Sequence, residues 1–425
     1  MNNQFRKYIL LWATQSVSQL GSAMTGFALT LWIYTQIHSA IAVSLMSFFN
    51  YVPYILVSLF AGAFVDRHDK KGIMLISDSL AAVCTVAVLF LTVFGRLQIW
   101  HIYLVNAVIG CMNAFQQPAS AAAIGRIVPK EKLSNVSGMN SFSSNMVMVF
   151  SPVLAAFLFS AFGLRFILLV DLISFFGAFC VLLFVIYIPE ERKETQRKSV
   201  FSGTAEGFAF LKRQKGLLTI MVTMALINFF SRLTYENVLS PMILSRSGDD
   251  SVVLGFVNAA MGVGGIVGGL IVSLKRPSKH NARMMYRAAA ISFLFGDLLM
   301  AAGRNSIMWS VAGIAASLPI PFIMAGNNVI MYSKVPEGMQ GRVFAVRNAI
   351  QFSTIPFGIL LGGWLADYVF EPFMQSGSYM ADLFGKLVGT EAGSGMALMF
   401  LCTGLAGFTI SCISCRSRKV QTLDE

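Results

Sequence analysis

Apolar runs about twenty residues long follow one another along the chain, each ending in a short polar or basic segment. Wound as helix, a run of that length crosses a hydrocarbon core of roughly 30 Å. The pattern predicts twelve spans: residues 8–36, 40–65, 73–94, 100–123, 138–161, 165–188, 217–244, 252–274, 284–302, 308–331, 345–368 and 396–415. A polar, basic stretch from Pro189 to Gly216 divides them six and six. Two six-helix bundles are therefore expected, 1–188 and 217–415, with 189–216 as a linker and 416–425 as a tail. Within the linker, Phe201–Leu211 has the apolar spacing of a short helix, either lying on the membrane surface or simply joining the halves. The other long connection, Glu371–Gly395, is polar and Gly-rich, with a short helix expected over Tyr379–Leu387.

The two sets of six echo each other. A shift of 207 residues carries Gly62 onto Gly269, Val128-Pro129 onto Val335-Pro336, and Phe150–Ala156 onto Phe357–Gly363, in order and without a gap. Any one match is chance in so apolar a chain, but a constant offset is a duplication. Six spans repeated in the same direction imply parallel halves related by an axis along the membrane normal.

Composition names the solvent. Hydrophobic residues make up 56% and charged ones 12%, against the roughly half apolar and quarter charged mix of soluble domains. This is an integral membrane protein, with the lipid bilayer as its first partner. Of the 32 Lys and Arg, 26 fall at the N-terminus, in alternate loops or in the tail. Positive charge is retained inside, so both termini are expected in the cytoplasm. The net charge of +12 then reads as topology and attraction to an anionic leaflet, with no nucleic acid implied. Arg6 and Lys7 precede a run too long for a signal peptide. The six cysteines lie in or at the ends of spans, and Cys412 and Cys415 lack a second pair or a nearby His, so neither a disulfide framework, a metal nor a cofactor is expected.

The loop after the second span reads Gly62-Ala-Phe-Val-Asp66-Arg67-His-Asp69-Lys70-Lys71. It resembles G-x-x-x-D-R-x-G-R/K-R/K, the signature of the major facilitator superfamily, whose acid and bases latch the cytoplasmic ends of the two halves. The resemblance implies that Asp66 meets the start of the eleventh span near Val346–Asn348, where a helix N-terminus favours a carboxylate, and that Gly62 permits close helix approach. Asp69 stands in place of the usual Gly, and the repeat counterpart of Asp66 is Ser273, so the latch is one-sided. Asn106-Ala-Val-Ile-Gly110 lacks the Arg of the R-x-x-x-G found in proton-coupled members. Ser151, Pro152, Ala155 and Ala156 in the fifth span resemble a degraded G-P-x-x-G-G antiporter motif, which favours export. Gln116-Gln117-Pro118-Ala119, Ile127-Val128-Pro129, Gly341-Arg342-Val343-Phe344 and Asp171–Phe175 look like the drug:proton antiporter branch that includes bacterial macrolide-efflux proteins. The resemblance implies an all-α integral membrane fold of twelve helices in two parallel six-helix repeats. It implies a monomer in the bacterial cytoplasmic membrane that moves a small-molecule substrate, with the proton as coupling ion.

Ionisable groups inside spans are functional candidates by default. Arg232 lies roughly 22 Å along the seventh span from Leu217, and Glu236 follows one turn later on the same face. Asp171 and Asp297 lie roughly 9 and 8 Å inward from the outer ends of the sixth and ninth spans. Three acids beside one base would leave two negative charges uncompensated, which suits a carboxyl that gains and loses a proton. Glu236 is the first candidate for coupling, with Arg232 as its partner and Asp171 and Asp297 behind it. Asp78, near the cytoplasmic end of the third span, is expected with the latch. The structural alternative is a self-neutralising Arg232–Glu236 pair and acids that only hold helices together.

Amides and aromatics at mid-span depth could line a cavity for an amphiphilic compound: Gln15, Asn50, Tyr54, Asn113, Asn145, Asn228, Phe229, Phe230, Tyr235, Asn258 and Asn328. Each could equally serve helix packing. Gly262, Gly264, Gly265, Gly268 and Gly269 read as small-residue packing in the eighth span. The leading reading is a proton-coupled exporter of hydrophobic or amphiphilic compounds, with a dedicated exporter or flippase of a siderophore or lysolipid as its neighbour. A membrane enzyme would need a reactive constellation, and His38, His68, His101 and His280 are scattered without a second ligand or nucleophile, so no catalytic residue is expected.

Overall fold

The computed structural model describes residues 3–128, 132–187, 208–274 and 280–424, and every element among them is helical. Contacts group the chain into two units, Met1–His38 with Leu45–Glu194, and Ser39–Ser44 with Thr195–Glu425. The first unit holds α1 (Asn3–Ile37), α2 (Ala40–Arg67) from Leu45 onward, α3 (Lys70–Val93), α4 (Ile99–Ile127) and α5 (Leu133–Cys180), which runs on into a π-helical turn, Val181–Val185. The second holds α6 (Lys215–Thr234), α7 (Leu239–Ser247), α8 (Ser251–Leu274) and α9 (Asn281–Ile291). A π-helical turn, Ser292–Asp297, joins α9 to α10 (Leu298–Ala302). After these come α11 (Ser306–Ser317), α12 (Ile320–Lys334), α13 (Glu337–Leu365), α14 (Glu371–Met374), α15 (Tyr379–Val388), α16 (Ser394–Arg416) and α17 (Arg418–Gln421).

Among the described residues, nine helical stretches are long and apolar enough to cross a membrane. The count takes α5 once, although it contains two predicted spans, and α1 and α4 cover two more, so each of the twelve predicted spans coincides with helix. Inside α5 the chain reverses at Gly163, whose φ of 73° is open to glycine at little steric penalty. Large apolar side chains such as Phe184, Ile307 and Leu274 are more than three-quarters exposed. In a protein whose surroundings are hydrocarbon, this is the side chains' proper solvent.

The 207-residue echo reaches into the packing. Tyr8, Ile73, Ala123, Val128, Val136 and Leu182 belong to the core cluster of the first unit, and Met224, Tyr286, Ile330, Val335 and Val343 to that of the second. Ala123 and Ile330, Val128 and Val335, and Val136 and Val343 are each one repeat apart. Val128 and Val335 also end their helices in the same extended conformation, ψ 128° and 121°, as the proline following each requires.

Helix ends are closed by side chains. Asp69, the departure from the family signature, is the N-cap of α3 and accepts from the amides of Lys71 (3.0 Å) and Gly72 (2.7 Å). Lys71 donates to the carbonyls of Leu183 and Ile186, both at 2.8 Å, and so closes the end of the sixth span. In the second unit, Asp367 accepts from Ser39 Oγ (2.6 Å) and from the amides of Ala40 (3.0 Å) and Ile41 (2.9 Å), which ties Ser39–Ser44 to that unit. The helix expected over Tyr379–Leu387 forms as α15, and its last carbonyl, on Val388, accepts from Arg246 Nη2 at 2.8 Å. Of the linker helix expected over Phe201–Leu211, only the end lies within the described residues: 208–213 are helical, and Leu211 is buried in the core.

Only some glycines mark close approaches. A Cβ on Gly110 would meet the Asn50 backbone, one on Gly264 the Ser317 side chain, and one on Gly268 the Leu318 carbonyl, whereas Gly265 and Gly269 face open space. Gly62 is exposed, and among the described residues nothing lies within 4 Å of its notional Cβ. Gly268→Ala should therefore destabilise the protein by about 1–3 kcal/mol through overpacking, while Gly265→Ala leaves it unchanged or slightly more stable. Thermal unfolding midpoints in detergent check this; equal midpoints would refute the assigned contact.

Candidate functional site

The seventh span is broken. Helix α6 stops at Thr234, residues 235–238 form a turn, and α7 begins at Leu239. Pro241 contributes, since its ring excludes the carbonyl four residues earlier, on Asn237, and it has no amide hydrogen to give. Interrupted helices at membrane depth are tolerated where the freed groups face protein or a cavity, and transporters build binding sites from them.

The break gathers the span's polar groups. Arg232 donates to Glu236 across it, with both side chains partly exposed. Thr234 and Asn237 are wholly buried, and Thr234 Oγ1 and both polar atoms of Asn237 have no partner among the described residues. A buried amide left unpaired is unfavourable by about 1–3 kcal/mol, so the position is not explained by stability. Gly358 and Gly362 let α13 approach: a Cβ on Gly358 would stand 3.2 Å from Arg232 Cβ, and one on Gly362 would meet the Leu233 carbonyl. These glycines are the repeat counterparts of Ser151 and Ala155. In the first unit, Ser151, Ala155 and Ala156 are likewise buried in α5, beyond Pro152 for the alanines, where α5 runs along α1 and Ser143 Oγ donates to Ser16 Oγ at 2.7 Å.

Asp171 and Asp297 are held in one manner. Asp171, 4% exposed, accepts from Ser22 Oγ and Thr25 Oγ1 of α1, both at 2.9 Å, and faces Thr85 Oγ1 of α3 at 3.4 Å. Asp297, 1% exposed, accepts from the Tyr235 hydroxyl at 2.8 Å and faces Thr403 Oγ1 of α16 at 3.2 Å. A glycine beside each acid allows the approach: a Cβ on Gly21 would lie 3.1 Å from Asp171 Cα, and one on Gly404 would lie 2.7 Å from Asp297 Cβ. Each carboxyl thus sits where three spans meet, the first, third and sixth in one unit and the seventh, ninth and twelfth in the other. These are equivalent junctions of the repeat.

Asp78 has a different setting from the one its depth suggested. It accepts from Gln116 Nε2 of α4 at 2.8 Å and Gln15 Nε2 of α1 at 3.4 Å, and so joins a polar cluster inside the first unit rather than the latch loop. Nearby in sequence, the Tyr54 hydroxyl donates to Gln117 Oε1 at 2.9 Å, and Asn50 Nδ2 to the Asn106 carbonyl at 3.4 Å. Asn258 turns to its own helix, bonding the Leu254 carbonyl at 3.0 Å, and Asn328 accepts from Arg347 at 3.4 Å. Phe229 and Phe230 meet edge to face, with Phe230 against the core. Asn145 and Asn228 are half-buried and Asn113 is exposed.

The family model of the Major Facilitator Superfamily matches residues 11–359. The chain belongs to this superfamily. It is 25% identical over 375 residues to macrolide efflux protein A of Streptococcus pyogenes, covering 87% of this chain and 91% of the relative. It is 23% identical over 354 residues to the staphyloferrin A transporter of Staphylococcus aureus, covering 82% and 86%. In fold it is similar to the crystal structure of a bacterial homologue of the iron transporter ferroportin in its inward-facing state, with a TM-score of 0.70 at 15% identity and 97% and 99% covered.

Of the residues that signal this major facilitator fold, Asp66 and Asn348 have side chains outside the described residues, so the latch contact is not among those seen. Its bases are partly seen: Lys70 is buried with Nζ donating to the His68 carbonyl at 2.8 Å, Lys71 closes the sixth span, and Arg67 is exposed. Thr403 also bonds the Met399 carbonyl, at 3.0 Å, so the firm donor to Asp297 is Tyr235. Tyr235→Phe should lower stability by about 1–3 kcal/mol, the range for leaving a buried hydrogen-bonding group unmet. Asp297→Asn should partly suppress that loss, because an amide needs the phenol less. Unfolding midpoints of the two single variants and the double would show it, and strict additivity would refute the pairing.

Proposed function

We propose that the protein is a proton-coupled exporter of hydrophobic or amphiphilic compounds, macrolide- or drug-like in size, working by alternating access. The broken seventh span carries this reading. It holds a charge pair, Arg232 and Glu236, next to the unpaired donors and acceptors of Thr234 and Asn237. Such a site has two charge states. With Glu236 ionised the pair is neutral; with a proton on Glu236 the carboxylate charge that Arg232 faces is gone, and the break lets the backbone respond. Asp171 and Asp297, each met by hydroxyls from neighbouring helices, suit the holding of helices better than a cycle of proton exchange.

The likeness to a macrolide efflux protein supports this cargo class, as do amides and aromatics such as Asn228, Phe229 and Asn237 at or near the break. The likeness to a staphyloferrin A transporter favours a second reading, export of one dedicated polar cargo such as a siderophore. Everted vesicles incubated with a panel of macrolides, lipophilic cations and siderophores separate the two by whether several compounds, or one, are accumulated.

Glu236→Gln should abolish accumulation driven by an imposed pH gradient while leaving the amount of protein in the membrane unchanged; undiminished pH-driven transport would remove Glu236 from the mechanism. Asn237→Leu separates site from scaffold. Removing an unmet amide should leave the unfolding midpoint equal or higher, yet lower transport at least several-fold, and unimpaired transport would exclude Asn237 from the site.

A further inference from the structure

The basic end of α9 lies between two grooves. One, of about 480 Å³, has His280, Arg283 and Arg287 at one end and Ile291, Leu318 and Phe322 at the other. The second, of about 420 Å³, shares Arg283 and Arg287 and adds Arg416 from the end of α16. Arg283, Arg287 and Ile291 follow at four-residue intervals, so they form one stripe of the helix, two cations and then an apolar residue, over roughly 12 Å. The packing shapes the first groove. Gly326 lets α12 close on α9 at its basic end, where a Cβ would be 2.8 Å from the Asn281 carbonyl oxygen, and the interruption between α11 and α12 at Leu318–Pro319 stands at the far end.

Among the described residues the cations have no acid to meet. Among the described residues no carboxylate pairs with the guanidinium groups of Arg283, Arg287 or Arg416, and Nε of Arg283 is buried without a partner. The neighbouring acid, Asp424, is engaged elsewhere: it accepts from the amides of Ala282 (2.7 Å) and Arg283 (3.2 Å) and caps α9. In sequence, Lys275, Arg276 and Lys279 add three more positive charges just before His280. Unpaired guanidinium groups call for an oxyanion that can take forked hydrogen bonds. An adjoining apolar groove on the flank of a membrane helix calls for hydrocarbon. One molecule of the surroundings carries both.

We propose that this site binds an anionic glycerophospholipid, its phosphate held by Arg283 and Arg287 and an acyl chain laid along Ile291, Leu318 and Phe322. The site stands whatever the exported cargo, and its test does not use transport. The delipidated full-length protein would be titrated with phosphatidylglycerol, phosphatidylcholine or inorganic phosphate while its unfolding midpoint is followed. Phosphatidylglycerol should raise the midpoint more than phosphatidylcholine does. The half-saturating amount should rise about tenfold or more in the Arg283→Gln, Arg287→Gln double variant and change little in the corresponding double lysine variant, whose charge is kept. An unchanged response in the glutamine variant overturns the proposal, as does an equal response to phosphatidylcholine. Inorganic phosphate matching the lipid would mean an anion site without the acyl groove, and also overturns it. Should the glutamine variant fail to fold, native mass spectrometry of the unaltered protein decides: no preferential retention of phosphatidylglycerol over phosphatidylcholine refutes the assignment.

Discussion

A carboxylate inside a helical membrane bundle has no bulk water to turn to, so the helices around it must supply its hydrogen bonds and their backbones must come close enough to do so. Much of the interior of this protein follows from meeting that condition without cations. Asp171 and Asp297 sit at equivalent three-helix junctions, each with a glycine on one neighbour and a hydroxyl within a turn of it. The glycine brings the backbones together, and the hydroxyl uses the proximity. Asp78 is met instead by two glutamine amides, which reach further and need no glycine. Outside the junctions, Asp69, Asp367 and Asp424 are placed on helix N-termini, where free amides do the same work.

Much of this was legible in the sequence, and the limits have physical causes. Span positions, the duplication and the turn near Gly163 follow from hydropathy and repeat offset, which need no knowledge of helix rotation. The valines at 128 and 335 even share a backbone conformation, because a following proline dictates it locally. What a side chain faces depends on rotation and neighbours. Asp78 was therefore placed by depth alone, near the latch, when its partners lie on the first and fourth spans. Gly110 likewise packs against the Asn50 backbone, a contact set by which face of its helix it occupies. The sharpest omission was the break after Thr234. The run 217–244 is apolar enough to read as one helix, and hydropathy says nothing of backbone continuity. The signal was Pro241, four residues beyond Asn237, a buried amide that no reading of polarity singled out.

The break also shows how two copies of one ancestral half have come to differ. Position 25 in the first half corresponds to position 232 in the second. In the first half it is Thr25, inside the unbroken α1, and its hydroxyl is spent on holding Asp171. In the second it is Arg232, one turn before a helix interruption, bonded to Glu236, whose own counterpart is the buried Leu29. The same position thus serves as a fixed hydrogen-bond donor on a continuous helix in one half and as half of an ion pair beside a discontinuity in the other. A hydroxyl that holds a carboxylate at a packed junction has little reason to let go, since both groups would be left unmet in hydrocarbon. The ion pair at the break is partly exposed and lies beside unsatisfied groups, and the proposed coupling rests on that setting. The duplication therefore set up equivalent positions, and in the second half the equivalent position stands beside an interruption of its helix.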